Sequence, residues 1–393
     1  MEFILAAIIG IVCGIITGLA PGIHVNLVCS LLWAALPWIP FSPAAIAVFI
    51  IAVATTHTFL DAIPSVFLGA PDSASALGVL PGHRYLLKGQ GVMAVRLSTV
   101  GALGGLLLGL VCYPLFAYAT VLFERVPRVW LGATLLAIPI IMLLREKKRT
   151  AALIVIVLSS TLGMVGFRYP DPLFPMLSGL FGTSMLLISL REKINIPTQA
   201  WRDETQLRLG DAARAGIGGL IAGGLTAILP GVGAAHASVI GMLLATGTGD
   251  HGFLILTGTI GTTNFFLSLA AFDAIGKARN GALLTATNLS PNESIMACIG
   301  AALLAGGIGA ILTLKFARVA AALLPKIPYQ GLSLAVIGST AILVLLLNSW
   351  SGLGLLICST CIGLLSGVSK CARAHAMSCI LVPVGLRFLG VGV

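Results

Sequence analysis

Long apolar runs, separated by short polar breaks, are the main pattern along the chain. The runs Ala44–Leu60, Val129–Leu144, Ala151–Phe167 and Ser333–Leu347 contain no Asp, Glu, Lys or Arg. A helix that crosses a membrane needs roughly 20 mainly apolar residues, and apolar flanks extend several of these runs toward that length. Helices are expected because backbone polar groups in lipid must pair within their own segment. We therefore predict an all-α polytopic membrane protein with about ten to fourteen apolar segments.

Two proline-glycine pairs interrupt apolar segments in the same local context. A second match, at a shift of 207 positions, places residues 55–61 on residues 262–268. Two separated matches in the same order indicate duplicated halves, each with a broken or re-entrant helix. The first match, at a shift of 209 positions, places Gly10, Gly14, Thr17, Pro21 and Gly22 on Gly219, Gly223, Thr226, Pro230 and Gly231.

The duplication predicts how the chain is divided. Residues 1–145 form the first membrane repeat, residues 146–210 form connecting spans and a cytoplasmic linker, and residues 211–393 form the second membrane repeat. Seven expected crossings separate the two breaks, with Leu97–Val121 among them as a single crossing. An odd number turns the second repeat upside down, so the repeats are predicted to be inverted. Such repeats place a binding site near the middle of the membrane, where the two breaks face each other.

Composition and charge agree with this class of protein. The chain is 58% hydrophobic and 9% charged, and its net charge is +10. The basic residues lie at the ends of apolar runs, so the positive-inside rule explains them without nucleic acid as a partner. It places Arg84, Lys88 and the basic groups of residues 145–149 and 191–208 on the cytoplasmic side. Attraction of an anionic substrate is the alternative for Arg84 and Lys88. We expect a multi-pass protein of the cytoplasmic membrane, surrounded by membrane lipid.

The proline-glycine breaks are the candidate substrate site. Unwound backbone at membrane depth must be buried in protein or line a wet cavity. A helix that resumes after such a break points free N–H groups into it, and these groups favour anions. A plain kink at each proline is the alternative. The candidate substrate-binding residues, at the breaks and in the polar segments that follow them, are Thr17, Pro21, Gly22, His24, Asn26, Ser73, Ser75, Pro230, Gly231, Gly233, His236, Ser238, Thr263 and Asn264.

Four further residues are candidates for ion coupling: His57, Asp61, Asp72 and Asp273. Asp61 follows an apolar run, and a carboxylate inside a membrane is a functional hypothesis by default. It could take a proton or help to hold Na⁺. The alternatives are that Asp61 marks the end of a span and that Asp72 is a helix N-cap. Ser268 is equivalent to Asp61, so the halves are expected to share a shape but not a role.

Motifs of enzymes are absent from the sequence. It contains no HExxH, P-loop or Ser/His/Asp order. An integral membrane enzyme that acts on a lipid would need more acid–base groups than His57 and Asp61. We expect no catalysis, no metal site and no cofactor other than Na⁺ or H⁺ as a coupling ion. Cys358 and Cys361 form a CxxC without further ligands at zinc spacing, so packing is their expected role.

Three motifs match the pattern of a known family. They are residues 18–24, the segment from Gly69-Ala70-Pro71 through Gly82 to Lys88-Gly89-Gln90-Gly91, and Leu229-Pro230-Gly231-Val232-Gly233-Ala234-Ala235. With these motifs the chain resembles, over about residues 10–280, the large permease subunit of tripartite tricarboxylate transporters. The resemblance implies ion-coupled secondary transport of carboxylates, with a small membrane subunit and an extracytoplasmic binding protein as partners. His24 and Asn26 depart from the family's pattern, and the chain is short for such a permease, which leaves a variant without partners as an alternative.

The sequence therefore predicts an ion-coupled secondary transporter that moves an organic anion by alternating access, with a carboxylate as the favoured substrate. A translocase of a polyprenyl phosphate or a similar lipid-linked phosphate is the alternative, because the same helix ends would hold a phosphate. A closed aqueous vestibule would favour the carboxylate, and a basic cavity with lateral openings would favour the lipid. A homo-oligomer is compatible with either function.

Overall fold

The computed structural model describes most of the chain, and the fold is helical throughout this part, without strands. The described residues are 1–20, 41–69, 79–123, 125–169, 171–191, 196–200, 208–228, 234–276, 280–289 and 295–391, with the single positions 25, 28, 29, 32 and 39.

The described residues of the first half and the connecting spans form ten α-helices. These are α1 Glu2–Leu19, α2 Pro43–Leu60, α3 Ala62–Phe67, α4 Val79–Leu87, α5 Gly91–Val111, α6 Tyr113–Phe123, α7 Arg128–Arg145, α8 Arg149–Gly166, α9 Leu173–Leu177 and α10 Ser184–Arg191, and the π-helical turn Ser178–Thr183 joins the last two.

In the second half, the part of the chain that the structure describes forms seven α-helices and two short 3₁₀ segments. The α-helices are α11 Leu209–Ile228, α12 Ala234–Leu244, α13 Gly249–Ile275, α14 Gly281–Leu289, α15 Ile295–Leu323, α16 Tyr329–Val368 and α17 Ser378–Phe388, and the 3₁₀ segments are Leu324–Lys326 and Arg373–Met377.

Within the described ranges, nine helical segments are long and apolar enough to cross a membrane. This confirms the prediction of a multi-pass helical membrane protein. The run expected to cross once over Leu97–Val121 contains two helices, α5 and α6, with a turn at Cys112 between them, and α5 alone is long enough to cross. The structure does not fix the direction of each crossing, so the inverted orientation of the repeats stays a prediction.

Helix α16 folds back on itself. A straight helix of 40 residues would be about 60 Å long, twice the thickness of the hydrocarbon core. Ser349 interrupts it with φ 58° and ψ −163°. At one end the Tyr329 hydroxyl lies 3.4 Å from His83 Nε2, which is also 3.4 Å from the Ser189 hydroxyl. At the other end Gly367 faces Ile188. Both ends therefore lie beside the end of α10, and residues 329–348 and 350–368 form two antiparallel arms.

The two predicted repeats begin with the same packing of a glycine row on the next long helix. Helix α1 packs on α2, and α11 packs on α13. The positions that face each glycine are themselves related by the shift of 207 residues found in the sequence. Gly10 contacts Phe49 and Ala52, and its equivalent Gly219 contacts Leu256 and Thr259. Gly14 contacts Val53 and Thr56, and its equivalent Gly223 contacts Ile260 and Thr263.

Helices of each half also pack against helices of the other half. Helix α5 of the first half lies along α13 of the second, and α15 of the second half lies along α2 of the first. The α5–α13 approach is close enough for side chains to bond to the backbone of the other helix. Thr259 Oγ1 donates to the Gly101 carbonyl at 3.1 Å, and Thr262 Oγ1 donates to the Ala102 carbonyl at 2.7 Å. The core is therefore shared between the halves.

A carboxylate fixes the loop after α7 to the segment before α17. Glu146 Oε2 accepts hydrogen bonds from the Ala372 N–H and lies 3.1 Å from His375 Nε2. Glu146 Oε1 accepts from the N–H groups of Lys147 and Lys148. These bonds, that of Ala372 first, lower the pKa of Glu146 to about 2. The anchor holds the Arg373–Met377 segment against the side that the basic clusters predict to be cytoplasmic.

Candidate functional site

Asp61 lies at the junction of α2 and α3, beside a small cavity between the halves whose lining includes several polar side chains. The cavity has a volume of about 30 Å³. Thr58 and Ser65 flank Asp61 at helical spacing, so the three polar side chains share one face. Ser98 of α5 and Thr257 of α13 add hydroxyl groups from the opposite wall. Gly258 and Gly261 also line the cavity; a Cβ at Gly258 would overlap the Ser98 carbonyl, and a Cβ at Gly261 would meet Thr58.

The size and the lining of this cavity suit a single water molecule or a small cation. A cavity needs at least about 10–15 Å³ to hold one water. Carboxylate and hydroxyl oxygens are the ligands that hard cations prefer. Thr58 Oγ1 donates its proton to the Ala54 carbonyl at 2.9 Å, so its lone pairs remain available to a cation. The arrangement can hold a proton on Asp61 or a cation among several oxygens.

One turn before Asp61, His57 connects α2 to the end of α1. His57 Nδ1 lies 3.2 Å from Thr17 Oγ1, and both side chains are buried. Thr17 also donates to the Gly14 carbonyl at 3.3 Å. Thr17 is four residues before Pro21, so this contact joins the predicted substrate break to the helix that carries Asp61.

The second half repeats this geometry with neutral groups. Thr226 Oγ1 donates to the Gly223 carbonyl at 2.7 Å, as Thr17 does in the first half. Asn264 and Ser268 occupy the positions of His57 and Asp61, and the Ser268 hydroxyl donates to Asn264 Oδ1 at 2.9 Å. The two halves therefore share the backbone arrangement but carry different chemistry.

The other predicted residues are spread over several places. Thr263 is fully buried and donates to the Gly105 carbonyl at 3.2 Å. His236 and Ser238 lie on α12, where Ser238 is buried. Asp273 is exposed, accepts a hydrogen bond from the Tyr113 hydroxyl at 3.2 Å, and lies about three turns beyond Gly261 along α13. The predicted residues outside the described part of the chain are Pro21, Gly22, His24, Asn26, Asp72, Ser73, Ser75, Pro230, Gly231 and Gly233.

Comparison with known proteins identifies the family of this chain. Residues 4–378 match the Tripartite tricarboxylate transporter TctA family. The chain belongs to this family. It is also 28% identical over 401 residues to the uncharacterized protein MJ1079 of Methanocaldococcus jannaschii, an alignment that covers 98% of this chain and 99% of the relative. No solved structure matches. The TctA family is a transporter family, so the chain is a membrane transporter of the tricarboxylate type.

The Lys-Gly-Gln motif of this TctA-family chain is a docking point for the linker between the halves. Gly89 has φ +77°, and its carbonyl accepts the Ala200 N–H at 2.7 Å. The buried side chain of Gln199 accepts from the Gly91 N–H at 2.9 Å and donates to the Leu86 carbonyl at 3.1 Å. A side chain at Gly89 would strain the backbone and meet the Thr198 carbonyl. The motif is therefore explained by structure.

Sequence reasoning missed four of the hydroxyl groups around Asp61. Thr58 and Ser65 stand three residues before and four residues after Asp61, so helical spacing alone could have identified them. Ser98 and Thr257 come from α5 and α13. They meet Asp61 only because the two halves exchange helices, and no local pattern in the sequence marks that contact.

Proposed function

We propose that this TctA-family chain couples the movement of a small carboxylate to a cation that binds at Asp61. The observation that supports this most is the position of Asp61, on a cavity of about 30 Å³ that both halves line. A carboxylate within a membrane-spanning segment such as Pro43–Phe67 is costly to keep charged unless a cation or polar groups compensate it. Occupation of the cavity would therefore stabilise the arrangement of the two halves that surrounds it.

The substrate would bind at the two proline-glycine elements, with Asp61 and His57 as the link to the ion. The Thr17–His57 contact joins the end of α1 to the helix that carries Asp61. A cation that changes the packing around Asp61 would thus change the position of the first break. Alternating access would follow from movement at the α5–α13 and α2–α15 contacts. The family's tripartite character supports a small membrane subunit and an extracytoplasmic binding protein as partners.

The coupling ion can be Na⁺ or H⁺, and the two make different demands on the cavity. A proton needs Asp61 alone, whereas Na⁺ needs several oxygen ligands. Removal of the Ser65 or Ser98 hydroxyl should therefore weaken an Na⁺ site and leave a proton site nearly unchanged. Both variants keep the charge of Asp61.

The test is ligand-dependent thermal stabilisation of the purified full-length protein, with citrate as the probe, with and without Na⁺ and over a range of pH. We expect stabilisation by citrate that requires Na⁺ or acid. Asp61→Asn should weaken the ion dependence by about tenfold or more, the loss of one charge-assisted contact. Asp171→Asn is the matched control, because it removes an exposed carboxylate that does not line the cavity.

Two results would contradict the proposal. One is citrate binding whose ion dependence is the same in Asp61→Asn and in the wild type. The other is stabilisation by a soluble short-chain prenyl phosphate and by no small carboxylate, which would favour the lipid-phosphate translocase instead.

A further inference from the structure

A cavity of about 450 Å³ lies on the side that the basic clusters predict to be cytoplasmic. It is separate from the Asp61 cavity and shares no lining residue with it. Its wall is formed by the start of α4, the turn between α12 and α13, and the segment after α16. The polar lining residues are Arg84, Thr246, Thr248, Asp250 and Arg373.

Two of the three charges in this wall neutralise each other. Arg84 Nε donates to Asp250 Oδ2 at 2.9 Å, and Arg84 Nη2 donates to Asp250 Oδ1 at 2.5 Å. This two-bond pairing places the carboxylate on Arg84. Asp250 forms no salt bridge with Arg373 in the described part of the chain.

Arg373 is the charge that remains. It is half-buried, and its Nη1 atom is closed off from solvent without a hydrogen-bond partner. The nearby carboxylate of Glu146 is occupied by the Ala372 N–H and by His375. No salt bridge to Arg373 occurs among the described residues. A cation that is partly removed from water without a counterion is costly for a protein to hold.

The surroundings of Arg373 contain no group that could share its positive charge. Burial lowers the pKa of Arg373, and burial together with the charge of Arg373 lowers the pKa of His83 to about 4. His83 is therefore neutral near pH 7, and its Nδ1 atom is buried without a hydrogen-bond partner. The neighbouring imidazole thus adds no second charge, and the charge that faces the cavity is that of one arginine.

We propose that this cavity is a second anion-binding site, in which Arg373 binds the carboxylate or phosphate group of a small molecule. The volume is large enough for a metabolite-sized anion, since ligand pockets usually measure about 300–1,000 Å³. Thr246 and Thr248 offer hydroxyl groups in the same wall. Helix α13 begins at Gly249, so its first N–H groups also lie at the cavity and add to the attraction for an anion. A guanidinium binds planar oxyanions with two parallel bonds, which fits carboxylate and phosphate alike.

This site goes beyond the proposed coupling at Asp61 and does not require it. A carboxylate ligand would make the cavity a binding station for the transported molecule on the cytoplasmic side. A phosphate ligand that competes with no transported carboxylate would make it a regulatory site. The chemistry at Arg373 is the same in both cases, and the two probes separate them.

The test is equilibrium binding to purified full-length Asp61→Asn protein in a potassium buffer without Na⁺, with citrate and inorganic phosphate as probes at constant ionic strength. The Asp61→Asn background removes the proposed ion coupling, so failure there does not affect the result here. We expect saturable binding of at least one probe, weakened at least about tenfold by Arg373→Gln. Arg373→Lys should retain part of the binding. Arg387→Gln, which removes an exposed charge that does not line the cavity, should leave it unchanged.

A second variant protects the test against misfolding of Arg373→Gln. Thr246→Glu places a carboxylate in the exposed rim of the cavity, where it would supply the missing negative charge. We expect this variant to remain folded and to lose binding of the probe. Equal binding by the wild type, Arg373→Gln and Thr246→Glu would overturn the proposal, and so would the lack of saturable binding of either probe.

Discussion

At the scale of single residues, the difference between the two halves is concentrated at two equivalent pairs of positions. His57 and Asp61 of the first half are replaced by Asn264 and Ser268 in the second. The glycine rows that pack beside them make equivalent contacts in the two halves. A carboxylate carries a negative charge that a cation or a proton can neutralise, whereas a hydroxyl group carries no such charge. Two substitutions are therefore enough to give similar folds unequal roles.

Gly101 provides a residue-scale prediction about how the halves fit together. A Cβ at Gly101 would overlap the carbonyl of Ile255 on α13, whereas a Cβ at Gly104, one turn away, would meet no atom. Gly101→Ala should therefore destabilise the protein by about 1–3 kcal/mol, the usual cost of overpacking. Gly104→Ala should be neutral or slightly stabilising, since alanine favours helices. Thermal unfolding of both variants in one detergent measures the difference, and equal midpoints would show that α5 and α13 are not this close.

Glu146 gives a prediction about pH. Its pKa is lowered in the folded protein from the ordinary value of 4.5 to about 2. The anchor therefore contributes stability that is fully present above pH 4.5 and is lost as the pH falls toward 2. We expect Glu146→Gln to unfold at a lower temperature than the wild type at neutral pH, and this difference to shrink on acidification within that window. A difference that is constant with pH would mean that the carboxylate charge contributes nothing.

At the scale of helices, interruptions determine the architecture more than the apolar runs do. The breaks at Asp61, Cys112 and Ser349 each separate helical segments that a hydropathy pattern would join. Ser349 adopts a positive φ that glycine normally occupies. The neighbouring Asn348 Nδ2 donates to the Asp171 carbonyl at 3.1 Å, which holds this turn from outside the helix. Such breaks depend on contacts with distant residues.

The fold-back of α16 can be measured directly. In a straight helix, positions 331 and 365 would lie about 51 Å apart. Because residues 329–348 and 350–368 form antiparallel arms, spin labels at Gly331→Cys and Leu365→Cys should lie far closer together. Pulsed electron paramagnetic resonance on a variant without the eight native cysteines gives this distance. A value near 50 Å would contradict the hairpin.

The helices of the fold were predictable from the sequence to different degrees. The apolar runs Val129–Leu144 and Ala151–Phe167 predicted α7 and α8 to within one or two residues, because length and hydropathy define a crossing. The turn at Ser349 was not predictable, because the polar residues around it differ little from the polar residues at other points within the helices. Its conformation is set by tertiary contacts.

At the scale of the whole molecule, the candidate site was predicted in its local part and not in its long-range part. Asp61 and His57 were identified because polar groups in an apolar run are costly and therefore informative. Ser98 and Thr257 were not, because they reach the same cavity only through the packing of α5 on α13. The cavity at Arg373 was not predicted from the sequence for the same reason, because its wall combines segments from three distant parts of the chain.

The packing of helices of one half on helices of the other affects how the protein is synthesised. The segment Pro43–Phe67 is 78% buried in the finished protein, and α15, which covers part of it, begins only at Ile295. A ribosome that adds about 5–20 residues per second needs roughly ten to fifty seconds to reach that point. During this interval the face of α2 that carries Phe59 lacks Gly306 and Gly309 of α15, its final neighbours. Insertion factors that shelter unpaired helices during synthesis should therefore limit the yield of this protein.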